Sequence, residues 1–109
     1  LDLAYIHIIE GATGGPREIE DRPFDYEALK AAYRQAGGKG AWMVNNGYDR
    51  PLAEEALKEG DDLVAFGKPF ISNPDLVRRL RENAPLNELD KATMYGGGAK
   101  GYTDYPALA

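Results

Sequence analysis

Two short stretches of this chain combine residue types that could hold an anion. The first runs from Asp62 to Asp75, reading Asp-Leu-Val-Ala-Phe-Gly-Lys-Pro-Phe-Ile-Ser-Asn-Pro-Asp. An apolar run, Leu63 to Phe66, has acids before it and Gly67 after it, the pattern of a buried parallel strand. Gly67 lets the backbone come close to a ligand. Lys68 places a cation at the strand's carboxyl end. Asn73-Pro74 reads as the N-cap and first residue of a helix. A strand end, a glycine, a cation and a nearby helix start together suit an anion. The same residues also fit a plain tight turn with a surface lysine, and this stretch alone leaves both readings open. The second stretch is Asn45-Asn46-Gly47, a tight turn leaving another apolar run.

Other candidates are weaker. His7 sits inside the apolar run Leu3 to Ile9 and is expected to be a packed, hydrogen-bonded core histidine rather than a ligand or proton carrier. Glu10, at the exit of that run, is expected to be a solvated loop carboxylate, with a ligand-facing role as the alternative. Arg78, Arg79 and Arg81 fall near a helix C-terminus, where cations suit the dipole, and read as a solvated face. The segment Tyr95 to Tyr102 is glycine-rich, but no helix follows it, which makes it a poor phosphate loop. It reads as an ordered tail lying over a surface, anchored by Tyr95, Tyr102 and Tyr105.

The elements that must position these residues follow from periodicity. Leu3 to Ile9 is a strand of β-branched and aromatic residues. Gly11 to Pro23 is a long loop of glycines, prolines and charges. Asp25 caps a helix from Tyr26 to Ala36 with Leu29, Ala32, Tyr33 and Ala36 on its apolar face, and Gly37-Gly38 ends it. Ala41 to Val44 is the second strand. Asp49 caps the next helix, with Pro51 in its first turn, a buried stripe of Leu52, Ala53, Ala56 and Leu57, and Gly60 as its stop. After the third strand come a short turn or single helical turn through Pro69-Phe70-Ile71 and a last helix, Pro74 to Glu82, burying Leu76, Val77 and Leu80.

The order β-α-β-α-β-α implies an α/β fold with a parallel sheet covered by helices. It suits part of an open doubly wound sheet or of an eight-stranded barrel, and the compact units favour the barrel. In barrels the last two strand exits often build a phosphate site; here those exits are Asn46-Gly47 and Gly67-Lys68. A barrel needs all eight strands, typically over about 250 residues. This chain has 109 residues and offers three strands. Residues 1–109 are therefore expected to be a partial TIM barrel with a C-terminal tail, the rest supplied by another chain or missing. The abrupt start, with a strand near the first residue, also suggests a chain cut from something larger.

Composition excludes several classes. The formal net charge is -5 with scattered acids, which argues against nucleic acid as a partner. There is no cysteine and a single histidine, so neither a thiolate nor a multi-histidine metal site is expected. No apolar run approaches the roughly 20 residues of a membrane span, and the first residues lack the basic start of a signal peptide.

At these residues the sequence resembles a known family. Ala65-Phe66-Gly67-Lys68-Pro69-Phe70-Ile71-Ser72-Asn73-Pro74-Asp75-Leu76 resembles the last-strand motif of the old yellow enzyme family, FMN-dependent ene-reductases with a (β/α)8 barrel. Tyr95-Gly96-Gly97-Gly98-Ala99 and Gly101-Tyr102-Thr103-Asp104-Tyr105-Pro106 resemble the family's tail. Asn45-Asn46-Gly47-Tyr48-Asp49 looks like the turn after its seventh strand, and Tyr5-Ile6-His7 through Glu10 like its sixth. The resemblance implies strands six to eight of the barrel. It implies that Asn46 and Gly47 hold the FMN phosphate through backbone N–H groups, together with Gly67 and the cation Lys68. It places Phe66 near the flavin edge and makes Tyr95 a substrate contact. The family usually has arginine at Lys68 and, in bacterial members, glycine at Asn46. Lysine keeps the charge but loses the fork that grips two oxygens, which implies weaker FMN retention.

The implied chemistry is hydride transfer from NADPH or NADH, through FMN, to the β-carbon of an activated alkene such as an enone or maleimide, with protonation at the α-carbon. The family's substrate-anchoring pair and proton-donating tyrosine lie on earlier strands. This chain therefore carries no catalytic residue of its own and needs a complementary N-terminal barrel segment. A cytoplasmic enzyme is implied. The alternative from another class is a standalone α/β module that binds a phosphorylated ligand without redox chemistry.

Overall fold

The alternation of branched and aromatic residues produces two five-residue strands, β1 (Tyr5–Ile9) and β2 (Ala41–Asn45). In the computed structural model, which describes residues 2–11 and 24–109, they pair in parallel with Tyr5 opposite Ala41 and Ile9 opposite Asn45. A short third strand, β3 (Leu63–Val64), pairs in parallel with β2, and the sheet order is β1-β2-β3. Hydrogen bonds at both ends of β3, from the Asp62 N–H to the Trp42 carbonyl and from the Ala65 N–H to the Val44 carbonyl, extend its pairing. The expected strand Leu63 to Phe66 is thus shortened but in place. The loop expected over Gly11 to Pro23 falls, from residue 12 onward, outside the described residues.

Chain contacts divide the molecule into two compact units, Leu1–Ala65 and Phe66–Ala109. In the first, Trp42 and Val44 are almost fully buried on one face of the sheet. The register puts Ile6, Ile8 and Val64 on the same face. Helix α1 (Tyr26–Gln35) packs there through Tyr33, whose ring lies 6.0 Å from that of Trp42. Helix α2 (Arg50–Lys58) buries Ala53 and Ala56. Each buried side chain of valine size or larger contributes roughly 1.5–3 kcal/mol. Both helices start as expected: Asp25 accepts from the Ala28 N–H at 3.0 Å and Asp49 from the Leu52 N–H at 2.9 Å.

On the opposite face of the sheet Tyr5, Ile9 and Leu63 are exposed, and so is His7. The expectation of a packed core histidine is therefore corrected: an alternating strand buries only the face that helices cover, and His7 is on the other. Leu29 and Leu57, expected in helix stripes, are exposed as well.

Polar links tie the amino ends of the strands to α1. Arg34 donates to the Gly40 carbonyl at 2.7 Å and to Asp62 Oδ2 at 2.7 Å, and Asp62 also accepts from the Trp42 N–H. Lys30 pairs with the buried Asp61 at 2.7 Å. Burial alone would lower the Lys30 pKa, but the hydrogen bonds and charges of Asp61 and Glu27 outweigh it and the pKa is raised. Gly38 is required here because a Cβ would come within 2.2 Å of the Tyr33 ring.

The second unit has little regular structure: α3 (Lys68–Ser72), α4 (Leu76–Glu82) and a tail. Asn73 does not cap α4. It is fully buried, donates to the Pro69 carbonyl at 2.8 Å and to Ser72 Oγ at 3.0 Å, and accepts from the Asn87 N–H at 2.7 Å. The helix starts two residues later than expected, after Asp75. Its side chain makes no cap bond; it serves Arg79 and the tail instead. Leu76 is buried as expected, whereas Val77 is 63% exposed.

Of the three arginines expected on a solvated face, Arg78 and Arg81 are exposed and Arg79 is not. It is 4% exposed, and its guanidinium donates to Asp75 at 2.7 Å, to the Pro85 carbonyl at 2.6 Å and to the Pro106 carbonyl at 2.9 Å. A planar fork of donors suits three acceptors spread around it. Of the three expected tail anchors, only Tyr105 acts as one, its hydroxyl accepting from the Asp90 N–H at 2.8 Å. Tyr95 and Tyr102 are exposed.

Candidate functional site

The turn after β2 depends on two successive residues with positive φ, Asn46 (101°) and Gly47 (69°). Glycine reaches this region freely, and asparagine does so more readily than most residues. Asn46 is held there by its own side chain, whose amide donates to the Glu10 carbonyl. Its N–H donates to Asn45 Oδ1 at 2.7 Å, so this donor is engaged within the turn. Gly47 is exposed, and its N–H donates to no acceptor among the described residues.

Beneath this turn lies a residue that the sequence reading misplaced. Glu10 is 5% exposed, not a solvated carboxylate. Its side chain accepts from the hydroxyl of the buried Tyr48, and its N–H donates to the Asn45 carbonyl at 3.1 Å. The neighbouring Gly11 N–H donates to the Tyr26 hydroxyl at 3.1 Å. A buried carboxylate is costly unless it is hydrogen-bonded, and Tyr48 meets that need. The exits of β1 and β2 are therefore braced against each other by Glu10, Asn46 and Tyr48. No spacing rule flags Glu10. The signal was positional: an acid and a tyrosine at the exits of two neighbouring parallel strands.

The second predicted stretch leaves β3 through the half-buried Phe66 into Gly67 and Lys68, both exposed. A Cβ built at Gly67 meets nothing within 4 Å, so the space in front of this backbone is open. The Gly67 carbonyl accepts from the Phe70 and Ile71 N–H groups at 2.9 and 3.2 Å, while the Gly67 and Lys68 N–H groups donate to no acceptor among the described residues. The Lys68 ammonium makes no ion pair among them either. Tyr95, the remaining predicted site residue, is 73% exposed in the tail.

Asn46 and Gly47 belong to the first unit; Phe66, Gly67, Lys68 and Tyr95 belong to the second. The first turn offers shape and a free backbone donor. The second offers donors, open space and a cation. Neither assembles a nucleophile with a base. Among the described residues no group of three or more acids and histidines could hold a metal ion, and no helix is long and apolar enough to cross a membrane.

Comparison with known proteins places this arrangement in context. The family model described as the NADH:flavin oxidoreductase / NADH oxidase family matches residues 1–87. The chain is 41% identical over 118 residues to 12-oxophytodienoate reductase 7 of Oryza sativa subsp. japonica, covering 97% of this chain and 28% of that protein. Among solved structures it is similar to morphinone reductase, with a TM-score of 0.79, 43% identity, and coverage of 97% of this chain and 27% of that one. It is also similar to the old yellow enzyme from Trypanosoma cruzi, with a TM-score of 0.73, 34% identity, and coverage of 99% and 26%. The chain thus spans about a quarter to a third of the length of the proteins it matches.

Proposed function

This chain belongs to the NADH:flavin oxidoreductase / NADH oxidase family, and we propose that it forms the last three strand–helix units of a (β/α)8 barrel and grips the phosphate of its FMN. The observation that carries this reading is the state of the two turns. They follow adjacent parallel strands, β2 and β3, at the carboxyl ends where barrel enzymes place their phosphate sites. Among the described residues Gly47, Gly67 and Lys68 keep N–H groups without acceptors, and Lys68 adds an exposed cation that makes no ion pair there. A phosphate accepts several hydrogen bonds and carries charge, so this donor set fits it.

In this reading Glu10, Asn46 and Tyr48 set the shape of the first turn so that Gly47 presents its N–H. Lys68 neutralises phosphate charge, and Phe66 packs at the edge of the isoalloxazine. Tyr95 contributes one side of the pocket for an activated alkene such as an enone or maleimide. When bound, the flavin supplies the redox chemistry, passing reducing equivalents from NADH or NADPH to that alkene. This chain's residues bind and orient; the proton donor and the substrate-anchoring pair come from the complementary part of the barrel.

The exposed apolar residues on one sheet face support the same reading. A sheet with Tyr5, Ile9 and Leu63 exposed on one side needs further strands or a partner to bury them. A standalone phosphate-binding module would be expected to cover that face itself.

The test is Lys68→Ala in the assembled flavoprotein. FMN occupancy after desalting is expected to fall, with the folded state intact, and Lys68→Arg is expected to raise retention above that of the wild type. Unchanged occupancy in the alanine variant would remove Lys68 from the phosphate site.

A further inference from the structure

The tail after α4 is built as an arm with two legs, and its base is Arg79. One leg leaves α4 through Pro85 and Asn87; the other returns through Tyr105, Pro106 and Leu108. Arg79 donates to the Pro85 carbonyl on the first leg and to the Pro106 carbonyl on the second. Its Nε donates to Asp75, whose other oxygen accepts from the Leu108 N–H at 2.8 Å. Asn87 adds a cross-link, donating to the Pro106 carbonyl at 2.8 Å.

Further out the legs stay joined. The Asp90 N–H donates to the Tyr105 hydroxyl. Gly101 lies so close to Thr93 that a Cβ would come within 1.8 Å of Thr93 Oγ1. Beyond that point, residues 95–100 are all exposed. Tyr95 is at this tip, 73% exposed, beside Gly97 with φ 80°. A large aromatic side chain held out by a cross-linked arm whose base is a buried arginine is an arrangement for presenting that side chain.

We propose that Arg79 is a positioning residue for substrate: by tying the two legs of the tail together it fixes where Tyr95 is presented. This rests on the reading of Tyr95 as a substrate contact. Lysine at position 79 keeps the charge but cannot serve three acceptors spread around a planar fork.

The experiment uses Arg79→Lys in the FMN-loaded protein, with N-ethylmaleimide as substrate. Trypsin cleavage at Lys91 and Lys100, which lie on the arm, is expected to quicken about tenfold, since cleavage tracks the open population. KM is expected to rise several-fold, with kcat and the FMN-to-protein ratio unchanged. In a Tyr95→Ala background the same substitution is expected to add nothing further to KM, because the two act through one contact. Asn87→Ala, which removes one cross-link and leaves Arg79 in place, is a milder second variant expected to move both readouts in the same direction. Unchanged cleavage in both variants would overturn the claim that Arg79 ties the two legs together. Faster cleavage with KM effects that simply add to those of Tyr95→Ala would overturn the route through Tyr95. A wild-type protein that takes up no FMN would instead refute the flavin assignment and the substrate role with it, an outcome distinct from the failure of Arg79 alone.

Discussion

The two units of this chain are ordered by different means. Residues up to Ala65 rest on a parallel ladder and an apolar face, with Trp42 and Val44 buried and two helices laid over them. Residues from Phe66 onward have two short helices and no strand among the described residues, and they are held by side chains that bond the backbone: Asn73, Asn87, Asp75 and Arg79. In the first unit, order comes from area removed from water, which is spread over many atoms. In the second, it comes from a few directional bonds, each of which leaves buried donors or acceptors stranded if broken.

The contrast sets the largest expected effect. Trp42→Ala removes the most buried large side chain of the sheet and should cost about 3–5 kcal/mol, read by denaturant unfolding of the assembled protein. A loss below about 1 kcal/mol, the range of a volume-conserving swap, would mean that the ladder alone orders the first unit.

Asn73→Ser comes next. Serine is as good a helix cap as asparagine, so a capping role predicts no change. A buried asparagine that bridges Pro69, Ser72 and Asn87 predicts a loss of about 2 kcal/mol, as its partners lose their hydrogen bonds. Chemical denaturation separates the two outcomes.

This difference in means also explains what could be read from the chain beforehand. Among the described residues, hydrophobic periodicity and capping residues located the helices and strands of the first unit, down to Asp25, Asp49 and the parallel order. Periodicity carries which face a residue is on but not whether that face is covered, and so His7 and Leu29 were placed inside. In the second unit the informative residues have no period. Arg79 looks like Arg78 and Arg81 in a helical run, and only the carbonyls of Pro85 and Pro106, distant in sequence, separate it from them. Glu10 escaped for the same reason, since its partner Tyr48 is 38 residues away. The turns at Asn46-Gly47 and Gly67-Lys68 were legible because turn chemistry is local; the phosphate role proposed for them is not something the turn shape itself carries.

A pH titration probes the second unit's means directly. The hydrogen bond from the Leu108 N–H, and then that from Arg79, hold the Asp75 carboxyl below its usual pKa. A depressed folded pKa contributes stability above the unfolded value, and that stability is lost as pH falls through the folded one. Hydrogen exchange at the Leu108 amide should therefore hold steady above about pH 5, after correction for intrinsic rates, and gain speed below about pH 4. Exchange independent of Asp75, tested with Asp75→Asn, would contradict the link.

The smallest effect is expected at Asn46→Gly. Losing the amide bond to the Glu10 carbonyl and relieving a positive φ oppose each other at about 1 kcal/mol apiece, so thermal stability should barely move. A large loss would show that the Asn46 side chain, rather than Glu10 and Tyr48, holds the turn.

The most direct measurement compares FMN with riboflavin, which lacks the phosphate, in wild type and Lys68→Ala of the assembled flavoprotein. If the turns after β2 and β3 hold the phosphate, the substitution lowers FMN affinity about tenfold or more, in keeping with loss of a charge-assisted bond, and leaves riboflavin affinity unchanged. Equal losses for both flavins, or no loss for either, would contradict it.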